Sequence, residues 1–130
     1  MLNVMCTILG LLTAAPPAAG WELVGQAGAL RMVYVEPARV KDTKILAKIV
    51  DDLILRFGTE RPMQIDFFDD REQTPATRPY TAGQRAHHRA KFNLNPKNGL
   101  RRFVWVDYVA DPDEPAKLKL IETEEKLPSP

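Results

Sequence analysis

Two adjacent histidines, His87 and His88, and the carboxylates Asp66, Asp69 and Asp70 are the side chains of this sequence best suited to acid–base or metal chemistry. A carboxylate within reach of an imidazole can hold and relay a proton near neutral pH. His88 with Asp69 or Asp70 is therefore the candidate catalytic pair, and a small hydrolase or metal-dependent enzyme is the chemistry it would serve. As metal ligands, Asp66, Asp69, Asp70 and His88 make a weak set. Adjacent residues of a helix point about 100° apart, no His-x-x-x-His spacing occurs, and zinc favours nitrogen and sulfur over a carboxylate cluster. No metal or other cofactor is expected.

Other chemistries have little to draw on. The only cysteine is Cys6 and the only serine is Ser129, so serine and cysteine nucleophile mechanisms lack their nucleophile inside the domain. Gly25 and Gly28 are not followed by a third glycine, and residues 58–61 lack the lysine followed by a hydroxyl residue that a phosphate loop needs, so no nucleotide is expected.

Charge is segregated. Residues 73–106 contain no Asp or Glu, while Arg78, Arg85, Arg89, Lys91, Lys97, Arg101 and Arg102 lie among them. Since the whole chain carries only +1, the remainder is net acidic, with Asp66, Asp69, Asp70 and Glu72 on one side and Glu122, Glu124 and Glu125 on the other. One reading is a surface for an anion or nucleic acid through Arg85, Arg89, Lys91, Arg101 and Arg102; the candidate binding residues are Arg85, His88, Lys91, Asn95, Arg101 and Arg102. Adjacent opposite blocks with a near-zero total favour the other reading, in which the basic segment is neutralised within the chain. Nucleic acid is disfavoured, because its binders carry a basic excess over the whole domain.

The elements that would position these groups follow from periodicity. Residues 1–20 have no charged side chain, and the apolar run 2–15 ends in Pro16, Pro17 and small residues, the pattern of a secretory signal peptide. This places the protein in the secreted or periplasmic space. An uncleaved segment would instead tether it to the membrane. The folded domain is expected over 21–110, with a charged, proline-containing tail over 111–130.

Residues 29–35 and 62–70 read as strands, and 41–57 places Ile45, Ile49, Leu53 and Phe57 on one face of a helix that Gly58 ends. Strand, helix and strand make a βαβ unit with parallel strands. Thr81 reads as the N-cap of a second helix over 82–93, whose polar stripe would hold Gln84, His88, Lys91 and Asn95. The competing reading of its end is a short strand, 92–95, in a hairpin with 100–106. Residues 100–109 alternate as a third strand, and 117–126 reads as one weak helix or strand. The fold class expected is α/β, with α+β as the alternative: a small two-layer sandwich with a three- to four-stranded sheet covered by two helices. With no nucleophile, no metal motif and one core, the functional expectation is an exported, non-enzymatic module that binds a protein or envelope component.

Overall fold

The computed structural model describes residues 20–114 and 117–128; Cys6, Ser129 and, but for Gly20, the expected signal segment lie outside them. The elements in order are β1 (Trp21–Ala27), β2 (Leu30–Val35), α1 (Thr43–Phe57), β3 (Met63–Phe68), α2 (Ala82–Ala86), β4 (His88–Asn95), β5 (Leu100–Ala110) and β6 (Leu118–Glu125). All six strands join one sheet in sequence order. Only β2 and β3 run parallel, across the α1 crossover; every other pair is antiparallel.

Helix α1 forms where the apolar spacing demands. The Asp42 carboxylate accepts from the Lys44 backbone N–H at 2.9 Å, and Gly58, at φ 82°, closes the helix by donating its own N–H to the Ile54 carbonyl. That left-handed φ costs a glycine little, which is why this residue stands at the stop. Leu46, Ile49, Val50 and Leu53 are buried in one cluster with Val33, Val35, Ile65, Phe67, Phe92 and Phe103 of the sheet. Phe57, expected in this stripe, lies instead at its margin, 37% exposed, with the Arg31 guanidinium 4.3 Å from its ring centre.

The expected α/β sandwich of three or four strands under two helices is overturned: the sheet has six strands, and among the described residues the only helix besides α1 is the five-residue α2. Thr81 does begin a helix, through a capping box in which its hydroxyl accepts from the Gln84 N–H and the Gln84 side chain accepts from the Thr81 N–H. The helix stops at Ala86, with His87 as its cap, because the eight residues from His88 to Asn95 alternate between buried and half-buried, a period of two that a helix cannot use. Asn93 and Asn95 are weak helix formers, and β3 and β5 both offer backbone partners to this segment. Pairing therefore overrides the local helical signal. The hairpin of the competing reading is the form adopted, extended back to His88. The sixth strand comes from the charged tail, which pairs with β5 along its whole length from Leu118 to Glu125.

One face of the sheet is thus covered by α1. The other is crossed by the long connector between β3 and β4, which reaches as far as β1. A Cβ on Gly25 would stand 2.5 Å from the Ala76 Cα, so only glycine admits the connector there.

Because Leu53 is wholly buried between helix and sheet, Leu53→Asp places an unpaired carboxylate in the core. The cost is several kcal/mol, comparable to the ~5–15 kcal/mol that holds a domain together. Loss of the cooperative melting transition by circular dichroism is expected, and an unchanged melting temperature would show that this face is not the core.

Candidate functional site

Beneath the connector lies a buried polar centre. Asp66 and His88 are each only 2% exposed, although they are a carboxylate and an imidazole. Strand alternation explains how Asp66 comes to lie there. Ile65 and Phe67 face α1, so Asp66 and Phe68 face the connector. On β4 the register shifts between Ala90, opposite Phe67, and His88, opposite Phe68; the extra residue, Arg89, lets His88 and Lys91 share this face.

An isolated carboxylate in this position would not stay ionised. Asp66 keeps three neighbours. Tyr80, at the end of the connector, donates its hydroxyl to Oδ2 at 2.5 Å, and Gln64 Nε2 donates to Oδ1 at 3.0 Å. The His88 Nε2 stands 3.6 Å from Oδ1, too long for a hydrogen bond and left with no other partner. Its Nδ1 is 3.3 Å from the Tyr108 hydroxyl of β5. The tautomer that fits both contacts has Tyr108 donating to Nδ1 and the ring proton on Nε2, directed at the carboxylate.

Rings close the site. Phe68 stacks on His88 at 4.8 Å between centroids, and Tyr80 stands edge-on to both rings.

The electrostatics follow from this packing. Burial pushes the Asp66 carboxyl up, but His88, Tyr80 and Gln64 together outweigh it and hold the group below the ordinary carboxylate range. Tyr80 is driven the other way, well above the usual phenol range, by burial first and then by the Asp66 charge beside it. Burial and Asp66 raise Tyr108 as well. The result is an ionised carboxylate facing two phenols that stay protonated.

The structure separates the residues expected to act together. His88 does not meet Asp69 or Asp70. The neighbouring His87 does, through Nδ1 at 2.8 Å from Asp69 Oδ1 and Nε2 at 3.9 Å from Asp70 Oδ2, while Arg89 donates to Asp69 Oδ2 at 2.7 Å. Asp70 is otherwise spent on the connector, where its Oδ1 accepts from the N–H of Glu72 at 2.9 Å. Among the described residues no three His, Cys, Asp or Glu side chains come together as a metal site.

The candidate binding residues are also dispersed. Arg85 donates to the Tyr80 carbonyl at 2.8 Å, Asn95 accepts from the Lys97 N–H in the β4–β5 turn, and Arg101 lies over Phe92, a ring of the α1-side core. Lys91 pairs with Glu122, and Arg102 with Glu124 at 2.7 Å. Of the basic segment, Arg89, Lys91 and Arg102 are met by acids of the β3 end and the tail.

Two participants, Tyr80 and Tyr108, were not legible as site residues. For Tyr108 the signal was present, because alternation in β5 places it with Val104 and Val106 on the face that receives His88. Tyr80 leaves no periodic trace, since it arrives by way of an irregular loop. Comparison with protein-family models, curated proteins and solved structures finds no match to this chain.

The signs of these shifts set a pH dependence. A carboxyl with a depressed folded pKa contributes stability that is complete above its unfolded value near 4 and is lost as pH falls through the folded value. Acid unfolding of the wild type is expected to have an Asp66 component, and Asp66→Asn, already destabilised by ~1–3 kcal/mol at neutral pH, is expected to lose less further stability between pH 4 and 2. Chemical denaturation across that range checks it; parallel profiles for the two proteins would contradict the assignment.

Proposed function

We propose that this chain is a non-enzymatic protein-interaction module that takes its partner by strand addition at β6. The carrying observation is the state of that edge. Each residue of β6 is exposed, the strand contains no proline and its pairing with β5 shows no register shift. Leu118, Leu120 and Ile121 remain 43%, 41% and 42% exposed on it. Exposed regular edges with apolar side chains are templates for another strand, and native domains usually blunt them.

The opposite edge of the sheet shows what such protection looks like. β1 is interrupted by a register shift at Leu23 and Gly25, and the connector leans on it through Ala76 and through Arg71, which donates to Glu22. Among the described residues β6 has no counterpart to either device. Its three acids do not shield it, because Glu122 and Glu124 reach back to Lys91 and Arg102, and Glu125 accepts from the Trp105 indole N–H at 2.9 Å. Besides Lys119, what is left at the edge is backbone and apolar surface, which is what β-augmentation uses.

The Asp66 centre supports the same reading by being closed. A substrate would have to displace Tyr80 and the connector before reaching the carboxylate or imidazole. Among the described residues no helix is long and apolar enough to cross a membrane. An exported location belongs to the proposal, carried by the uncharged apolar run 2–15 and the small residues after it.

Lysine-directed cross-linking in the native host tests both parts. Cross-links from Lys119 within β6 and Lys126 just after it are expected to exceed those from Lys44 and Lys48 of α1, and the isolated chain is expected to start between residues 14 and 21. Cross-links confined to α1 would contradict strand addition, and an intact Met1 in the soluble cytoplasm would contradict export.

A further inference from the structure

We infer that the strand taken up by β6 is β6 of a second copy, paired antiparallel about a two-fold axis normal to the sheet. This rests on the strand-addition reading above and names its partner. The argument is the distribution of charge along the edge. Lys119 stands near its start and Glu125 at its end, with Ile121 between, while Lys117 is held by Glu114 and Glu122 and Glu124 by Lys91 and Arg102. A parallel second copy would set like charges side by side. An antiparallel one sets the basic end against the acidic end twice, by symmetry.

Geometry narrows the register. Residues directly opposite in an antiparallel pair project to the same face, so each residue must meet one of its own parity. Centring the axis on Glu122 would oppose the two Glu122 side chains. Centring it on Leu120 would bring Lys119 against Ile121. Centring it on Ile121 brings Ile121 against itself, Lys119 against Thr123 with Glu125 on the diagonal, Leu120 against Glu122 and Leu118 against Glu124. The last two pairs bury no unpaired charge. Both acids already bend back to Lys91 and Arg102, so their aliphatic stems are what meets the leucines. Leu120 then also lies diagonal to its counterpart, and all three exposed apolar side chains of β6 gain cover on association.

Sedimentation of the purified full chain over a range of concentrations, with site-directed disulfides, tests this. A reversible dimer is expected, weakened about tenfold or more by Ile121→Lys; a native circular dichroism spectrum and melting curve confirm that this exposed position leaves the fold intact. In a Cys6→Ala background, Ile121→Cys is expected to form a disulfide dimer on air oxidation, because directly opposed residues fall within bridging distance. Thr123→Cys, four residues out of register with its own copy, is not. A protein that stays monomeric at every concentration overturns self-pairing, and the edge reading then stands if host cross-links still cluster at Lys119 and Lys126. A dimer indifferent to Ile121→Lys, or one in which Thr123→Cys bridges and Ile121→Cys does not, overturns this register and interface.

Discussion

The carboxylate of Asp66 sits in the middle strand region of the sheet with almost no contact with water, and a charge there is tolerable only if other groups are brought to it. Tyr80 comes from the end of the connector, Gln64 from the same strand, His88 from β4, with Tyr108 of β5 behind the imidazole. Four separate stretches of chain are thereby tied to one point. Removing the acid would strand two phenols and an imidazole in the interior, so the cost of burying Asp66 and the benefit of fastening the connector cannot be separated.

That constraint explains why a sheet with one long helix among the described residues can bury both faces. α1 covers only one of them, and a loop would ordinarily be too polar to cover the other. Here the loop is held by its own short-range bonds, Asp70 to Glu72 and the Thr74 hydroxyl to the Asp70 carbonyl at 2.6 Å, and by the Tyr80 anchor at its end. Leu30, Met32 and Phe68 are buried beneath it. Farther along, where the connector gives out, Val104 and Val106 are buried with Lys91–Glu122 and Arg102–Glu124 spanning the strands beside them. The exposed pair Arg102–Glu124 adds little energy, but the two pairs use cations of the basic segment and acids of the tail on each other. Cover ends there, and β6 is left as an open margin.

Periodicity carried part of this in the sequence. The α1 stripe, the two strands beside it and the alternation of β5 all follow from side chains spaced for one face. The second helix was misread because its start is genuine: Thr81 and Gln84 make a full capping box, and nothing local reports that β3 and β5 will claim the residues after Ala86. The tail was ambiguous for a related reason, since β6 buries none of its side chains and so shows no core-facing pattern. Of the site, the acidic strand end and the histidines were legible as residue types, yet their pairing was not. Which imidazole meets which carboxylate depends on one extra residue, Arg89, in the β4 register. Tyr80 depends on the path of an irregular loop.

Amide hydrogen exchange on Tyr80→Phe, which keeps the ring against Phe68 and removes only the hydroxyl, tests most directly whether Asp66 fastens the connector. The account predicts that the hydrogen-bonded amides of Thr74, Arg85 and His87 exchange about tenfold faster or more than in the wild type, while those of α1 and the centre of β4 change far less. Equal acceleration throughout the chain, or none in the connector, would contradict it.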